Sequence, residues 1–176
     1  MSKIKFCPEC SGILTSRLLD EHHRMVCVNS TCGYVYWDSP IPVVAALVQH
    51  QNKILLARNT LWPQGLYSLI TGYLEKMETT ESAVIREVKE ELGLDGERME
   101  FIGCFSLFEM NQIIIAYWVS ATGDIRLGDE IADIKALSVE ELKSWKFWYF
   151  VLTSAILEQW LGKKAANYFF WFPDAI

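Results

Sequence analysis

The stretch Gly72–Leu94, GYLEKMETTESAVIREVKEELGL, holds the densest pattern in the chain. Thr79 or Thr80 is suited to cap a helix, and Gly93 to end it in a left-handed conformation. At about 100° per residue, Val84, Ile85, Val88 and Leu92 fall on one side, a stripe fit for a core. Glu87, Glu90 and Glu91 gather on an adjacent side, with Ala83 small enough to allow close approach. Carboxylates crowded into two turns repel one another, a cost that exposed helices offset with lysines at i,i+4. An acidic run is ordinarily a solvated face. Clustered hard oxygens also suit Mg²⁺ or Mn²⁺, which accept carboxylates together with substrate phosphate oxygens.

The spacing decides between these readings. Gly72 is followed by five residues, Glu78, seven residues, and then Arg86-Glu87-Val88-Lys89-Glu90-Glu91-Leu92-Gly93-Leu94. Every fixed position of the Nudix box, G-x5-E-x7-R-E-U-x-E-E-x-G-U with U aliphatic, is filled, so the stretch resembles the Nudix hydrolase family. The resemblance extends over about residues 40–165. It implies an α/β fold, the α/β/α sandwich with a mixed sheet, and cleavage of nucleoside diphosphates linked to another moiety. It also implies roles. Glu87 and Glu91 are expected as main metal ligands, Glu90 as a further ligand or base, and Arg86 as the residue orienting Glu78 and the helix glutamates. An acidic residue before a late strand often supplies another ligand or the base in this family; that role falls on Glu130, with Asp129 as competitor. Two positions depart from the usual pattern. Thr71 stands where a pair of glycines often begins, and Met77 where a glycine often precedes the glutamate, so Met77 needs a negative φ or must tolerate strain.

Upstream, Cys7-Pro-Glu-Cys10 and Cys27-Val-Asn-Ser-Thr-Cys32 are separated by a hairpin-length insert. Two short cysteine loops in this layout suit a structural, tetrahedral Zn²⁺ site with no open position. Gly12 and Gly33 fit the tight turns of such knuckles. The segment has too few apolar residues to fold unaided, so metal binding is expected to supply its folding energy. A CPEC redox pair, disulfides, or His22 or His23 as a ligand are the competing readings. Residues 1–37 are accordingly expected as a zinc ribbon, 40–165 as the Nudix domain, and 166–176 as a terminal strand or tail packing on the domain or on a dimer partner.

A zinc ribbon before a Nudix domain resembles the NADH pyrophosphatase group and related enzymes acting on ADP-ribose or FAD. Those enzymes carry an S-Q-P-W-P-F-P signature after the box; here the corresponding stretch is Cys104-Phe-Ser-Leu-Phe-Glu-Met110. That departure counts against NADH as preferred substrate. Arg58 is a candidate for a substrate phosphate, and Trp62, Phe105 and Phe108 for stacking on a base, beside ordinary structural roles for each.

The remaining expectations come from composition and periodicity. With 176 residues, a charged fraction of 22% and a net charge of −6, the chain suits one main globular domain with a small appendage. The acidic balance argues against nucleic acid as a partner and favours a small nucleotide, with cations supplying local positive charge. Met1–Cys10 lacks the apolar centre of a signal peptide, and no apolar run reaches the roughly 20 residues of a membrane span. The expected location is cytoplasmic. Strands are expected over 42–49, 53–58, 66–70, 99–106, 112–119 and 135–139, with a turn at Gln51-Asn52. Ser138-Val-Glu-Glu141 reads as a capping box opening a helix through Trp145. A helix over 147–161 and a strand over 168–172 follow. Eleven aromatics lie between Trp145 and Phe172, enough to suggest a homodimer interface beside generous core packing. The competing functional class is a non-catalytic nucleotide sensor with the ribbon as interaction module; mRNA decapping and oxidised-nucleotide removal use the same box.

Overall fold

The structure, a computed structural model, describes residues 4–145 and 151–162. Contacts divide the chain into two compact units, Met1–Pro40 and Ile41–Ile176.

The first unit is a three-stranded antiparallel sheet of β1 (Leu14–Leu19), β2 (His22–Cys27) and β3 (Val35–Tyr36), in that order. Leu19 pairs with His22 across a two-residue turn in which Asp20 and Glu21 both have positive φ. That geometry matches the twist of the flanking strands. Its core is small: Cys7, Leu14 and Cys27 are buried, and two of the three are cysteines.

The second unit is built on β4 (Ile41–His50). Its neighbours are β5 (Lys53–Asn59), β6 (Ile70–Tyr73), β7 (Asp95–Leu107), β8 (Gln112–Thr122) and β9 (Ile131–Leu137). The sheet order is β7-β8-β4-β5-β9, with β6 also pairing β4. β4 runs parallel to β8 along its length, while its other edge is shared: residues 43–46 pair with β6 and 48–50 with β5, both antiparallel. The sheet is therefore mixed. Alternation along β4 makes it a two-faced strand. Val44, Ala46 and Val48 pack with Ala83, Val84, Val88 and Leu92 of α1 (Thr80–Leu92). Val43, Ala45 and Leu47 pack with Leu142 of α2 (Val139–Ser144) and with Ile156 and Leu157 of α3 (Val151–Trp160). Helices on both faces give the expected α/β/α layering. Among the described residues no helix is long and apolar enough to cross a membrane.

Local expectations meet the structure unevenly. The Gln51-Asn52 turn forms with both residues at positive φ, and the Ser138–Glu141 capping box is complete. The apolar run 66–70 is not a regular strand. Ser68 makes an isolated bridge to Ala57, Tyr67 and Leu69 enter the core under α2 and α3, and the strand proper is Ile70–Tyr73. β7 begins at Asp95, four residues before the expected start, because the polar Asp95–Arg98 segment pairs with β8 around a bulge. β9 starts at Ile131 rather than 135, its register set by pairing with β5. Residues 146–150, and the 168–172 strand expected beyond α3, lie outside the described residues.

Candidate active site and cysteine centre

α1 carries the site, and its ends are well defined. The Thr79 hydroxyl accepts from the Ser82 N–H at 3.1 Å, and Gly93 ends the helix at φ 72°. Gly72, in β6, faces the helix so closely that a Cβ there would lie 1.8 Å from the Glu87 carboxylate. The first glycine of the motif is thus a requirement for space.

Arg86 organises the acidic side. Its Nε and Nη2 donate to the two oxygens of Glu78 at 2.9 and 3.0 Å, a bidentate pair. Nη1 donates to Glu87 at 2.6 Å and to Glu90 at 3.1 Å, and Nη2 also reaches the Tyr73 carbonyl at 3.0 Å. One guanidinium therefore fixes three of the motif glutamates to each other and to β6, and their hydrogen bonds, Glu78 first, hold it more firmly protonated. The Arg86 hydrogen bond holds the Glu78 carboxyl below the usual carboxylate range.

Glu91 is treated differently. No donor among the described residues reaches its carboxylate, and it faces Glu87, Glu90 and Glu130. Burial first, then the charges of Glu87, Glu130 and Glu90, push its pKa up to about 8. Burial also raises Glu87, against the opposing pull of Arg86. Glu130 arrives from the loop before β9. The Gly128 N–H donates to the Glu91 carbonyl at 2.9 Å and the Arg126 N–H to the Leu92 carbonyl at 2.8 Å, so this loop satisfies carbonyls that α1 cannot.

Glu87, Glu90, Glu91, Asp129 and Glu130 line one cavity of about 530 Å³. Among the described residues these hard oxygen donors outnumber the one guanidinium that reaches them, and Glu91 has no donor, a set that fits a divalent metal of the Mg²⁺ or Mn²⁺ kind. Val43, Thr71, Tyr73, Glu75 and Gln112 complete the wall. The proposed substrate contacts Arg58, Trp62, Phe105 and Phe108 do not line it. Arg58 follows Leu56 on the α2/α3 side of β5 and donates to the Trp62 carbonyl at 3.3 Å. Phe105 packs beside the core under α2 and α3, and Phe108 is exposed in a one-turn 3₁₀ segment. Of the residues that do line it, Tyr73 and Thr71 flank the motif's first glycine. Gln112, at the start of β8, carried no sequence signal; only the parallel pairing with Ile41 brings it there.

In the first unit Cys7, Cys10, Cys27 and Cys32 bring their sulfurs within 4.8 Å of one another, a convergence that no carboxylate group among the described residues matches. Cys7 and Cys32 are 3.7 Å apart at sulfur, Cys10 and Cys27 3.5 Å. A tetrahedron with Zn–S bonds of about 2.3 Å places its sulfurs about 3.8 Å apart, so the quartet fits zinc, and all four are free thiols rather than disulfides. The Gly12 N–H lowers Cys10 to about 7. Cys32 is pushed up to about 12, the Tyr34 N–H that lowers it being outweighed by Cys10, burial and the other two thiols. Burial raises Cys27. Four sulfurs so close cannot all ionise without a cation between them. Gly12 has a spatial role, since a Cβ there would sit 3.2 Å from two of the sulfurs; Ser11 takes the left-handed turn position, at φ 60°. Gly33 is left-handed as expected.

Helices on both faces of a mixed sheet, with a glutamate-bearing helix at a cavity, are the arrangement of the Nudix class. The NUDIX domain family matches residues 39–156, and the chain belongs to the Nudix hydrolase family. Over 141 residues it is 30% identical to the NAD-capped RNA hydrolase NudC of Vibrio atlanticus, covering 79% of this chain and 51% of that protein. The chain thus spans about half the length of the curated relatives it matches. Among solved structures, a NUDIX hydrolase from Nitrosomonas europaea superposes with TM-score 0.73 at 23% identity, covering 92% of this chain and 96% of that one. The NUDIX domain of Shewanella oneidensis NrtR, solved in complex with ADP ribose, superposes with TM-score 0.59 at 15% identity over 71% of this chain and 88% of that one.

Proposed function

We propose that this chain hydrolyses the diphosphate of an adenine nucleotide linked to a second moiety, of the ADP-ribose, FAD or NAD(H) kind, releasing a nucleoside monophosphate. The observation that carries the reading is the Glu91 carboxyl, half-buried and with no donor among the described residues, facing three further carboxylates across a cavity open to a ligand. Glu87 and Glu91, with Glu130 and Glu90 as further candidates, would hold Mg²⁺ or Mn²⁺. Such ions neutralise a diphosphate and lower the pKa of a bound water. Arg86 keeps Glu87 and Glu90 oriented, so little reorganisation is needed when the substrate arrives. Whichever of Glu90 and Glu130 did not ligate such an ion would be placed to act as the general base toward water. The name of the Vibrio relative supports an NAD-type diphosphate within this class. The cysteine quartet would hold a structural Zn²⁺.

A turnover screen tests the reading. ADP-ribose, FAD, NAD, NADH and Ap4A are offered with Mg²⁺ and with Mn²⁺, and AMP release is measured. The expected result is release from at least one of them, abolished by excess EDTA. Tight binding of these nucleotides with no turnover under either metal would overturn the proposal in favour of a nucleotide sensor.

A further inference from the structure

The carboxylate that completes the cavity comes from outside α1, and the backbone shows how it is held. The Arg126 and Gly128 N–H groups cap the carbonyls of Leu92 and Glu91. Beyond them, the Thr60 N–H, just past β5, donates to the Glu130 carbonyl at 2.8 Å, and the Ile131 N–H closes a turn on the Gly128 carbonyl at 3.0 Å. Glu130 is thereby tethered on one side to the last turn of the glutamate helix and on the other to the sheet. Gly128 is the point of closest approach. A Cβ there would lie 2.4 Å from the Glu90 backbone oxygen and 3.4 Å from the Glu91 Cα. Its φ is not among the positive values, so the demand for glycine is one of space rather than of backbone conformation.

We propose, on the reading of the site given above, that Gly128 is a positioning residue for the reaction. By letting the 126–130 segment dock on the final turn of α1, it places the Glu130 carboxylate in the shared field of Glu87 and Glu91. Ordinary contact begins near 3.4 Å, so Gly128→Ala moves the segment by about 1 Å, a displacement that costs on the order of 10²-fold in rate when it misplaces a reacting group.

The test is a double-mutant cycle of G128A, E130Q and G128A/E130Q in the full chain. Turnover is read as kcat and KM separately, and Mn²⁺ binding by the loss of free-ion electron paramagnetic resonance signal. G128A is expected to lower kcat about 10²-fold with KM nearly unchanged, and the double variant to match E130Q alone. Losses that multiply in the double variant would assign Gly128 a general structural role and overturn the proposal. So would a G128A enzyme with parental kcat, or an E130Q enzyme that is unimpaired. If the parent turns over nothing in the panel, the functional reading falls, and the same cycle read by Mn²⁺ binding still decides the placement. If G128A does not fold, amide exchange in the parent decides. Gly128 and Thr60 N–H groups protected as well as those of α1 uphold the tether, and loop-like exchange overturns it.

Discussion

The two units present ligand sets of opposite design. In the ribbon, four thiols converge with sulfurs 3.5 to 3.7 Å apart in the closest pairs, and two of them make up most of the buried core. In the second unit, the carboxylates line a cavity of about 530 Å³, with Glu87 and Glu90 held by Arg86 and Glu91 and Glu130 outside its reach, while a full hydrophobic core on both faces of the sheet stabilises the fold. A closed soft site is a substitute for a core; an open hard site is an addition to one. A metal held by the first would contribute to folding outright, and one held by the second would remain open to a ligand.

Breaking the ribbon site gives the largest effect. Structural zinc contributes roughly 10–16 kcal/mol in isolated finger peptides, and the ribbon has few apolar contacts to offset its loss. Cys27→Ser is expected to leave residues 1–40 open to proteolysis while the sheet unit from Ile41 onward stays resistant. Equal resistance in parent and variant would show that the three-stranded sheet stands without its metal.

Breaking the carboxylate site is expected to leave the fold and lower turnover. Glu91→Gln is expected to lower kcat by on the order of 10³-fold. The metal-free variant should melt no lower than the parent, because the amide keeps the uncharged state that burial among like charges already favours. Near-parental turnover would sink the assignment of Glu91 as a ligand.

The same carboxyl gives the carboxylate site a pH dependence. The folded pKa of about 8 lies above the usual carboxylate value because of burial and then Glu87, Glu130 and Glu90. A carboxyl raised in this way favours the folded state while protonated, so its contribution is lost as pH rises from the ordinary carboxylate value through about 8. Chelated parent protein should therefore lose melting temperature between pH 6 and 8.5, and E91Q should lose less. Mn²⁺ binding below pH 8 must displace that proton, so affinity should climb over the same window in the parent. A flat Mn²⁺ affinity across it would show that Glu91 is already ionised.

How much of this was legible follows from what each feature depends on. The motif helix, its Thr79 and Gly93 ends, the cysteine quartet and the capping box at Ser138 are set by residues close in sequence, and periodicity or spacing exposes them. The cavity wall beyond the glutamates is not local. Gln112 comes to it through β4–β8 pairing, and Glu130 through backbone bonds to the end of α1. The aromatic candidates lie away from this cavity for the complementary reason. Phe105 carries a composition signal for base stacking, but strand alternation turns it toward the face opposite α1. Likewise the 66–70 run looked like a strand because it is apolar, whereas Tyr67 and Leu69 enter the core under α2 and α3, Ser68 makes only an isolated bridge to Ala57, and regular pairing begins at Ile70.

The smallest expected effect concerns strain in the loops that serve the two sites. Ser11 in the ribbon and Met77 before Glu78 both adopt a left-handed backbone, at φ 60° and 67°. Ser11 precedes the glycine that clears two sulfurs, whereas the Met77 side chain is 95% exposed and contributes no packing. A left-handed conformation costs an L-residue roughly 1–2 kcal/mol, and glycine escapes that at an entropic cost of about 0.5–1. Met77→Gly should therefore stabilise the protein by up to about 1 kcal/mol, a rise in melting temperature of about 2–4 °C for a domain of this size. Glu75 and Glu78 hold the loop from either side, the Glu75 N–H donating to Glu78 at 3.2 Å, so kcat should be unchanged. A fall in melting temperature would show that the exposed thioether has a contact worth more than the strain. A rise accompanied by weaker substrate binding would mean that the strain is kept for the substrate, as backbone strain at functional sites often is.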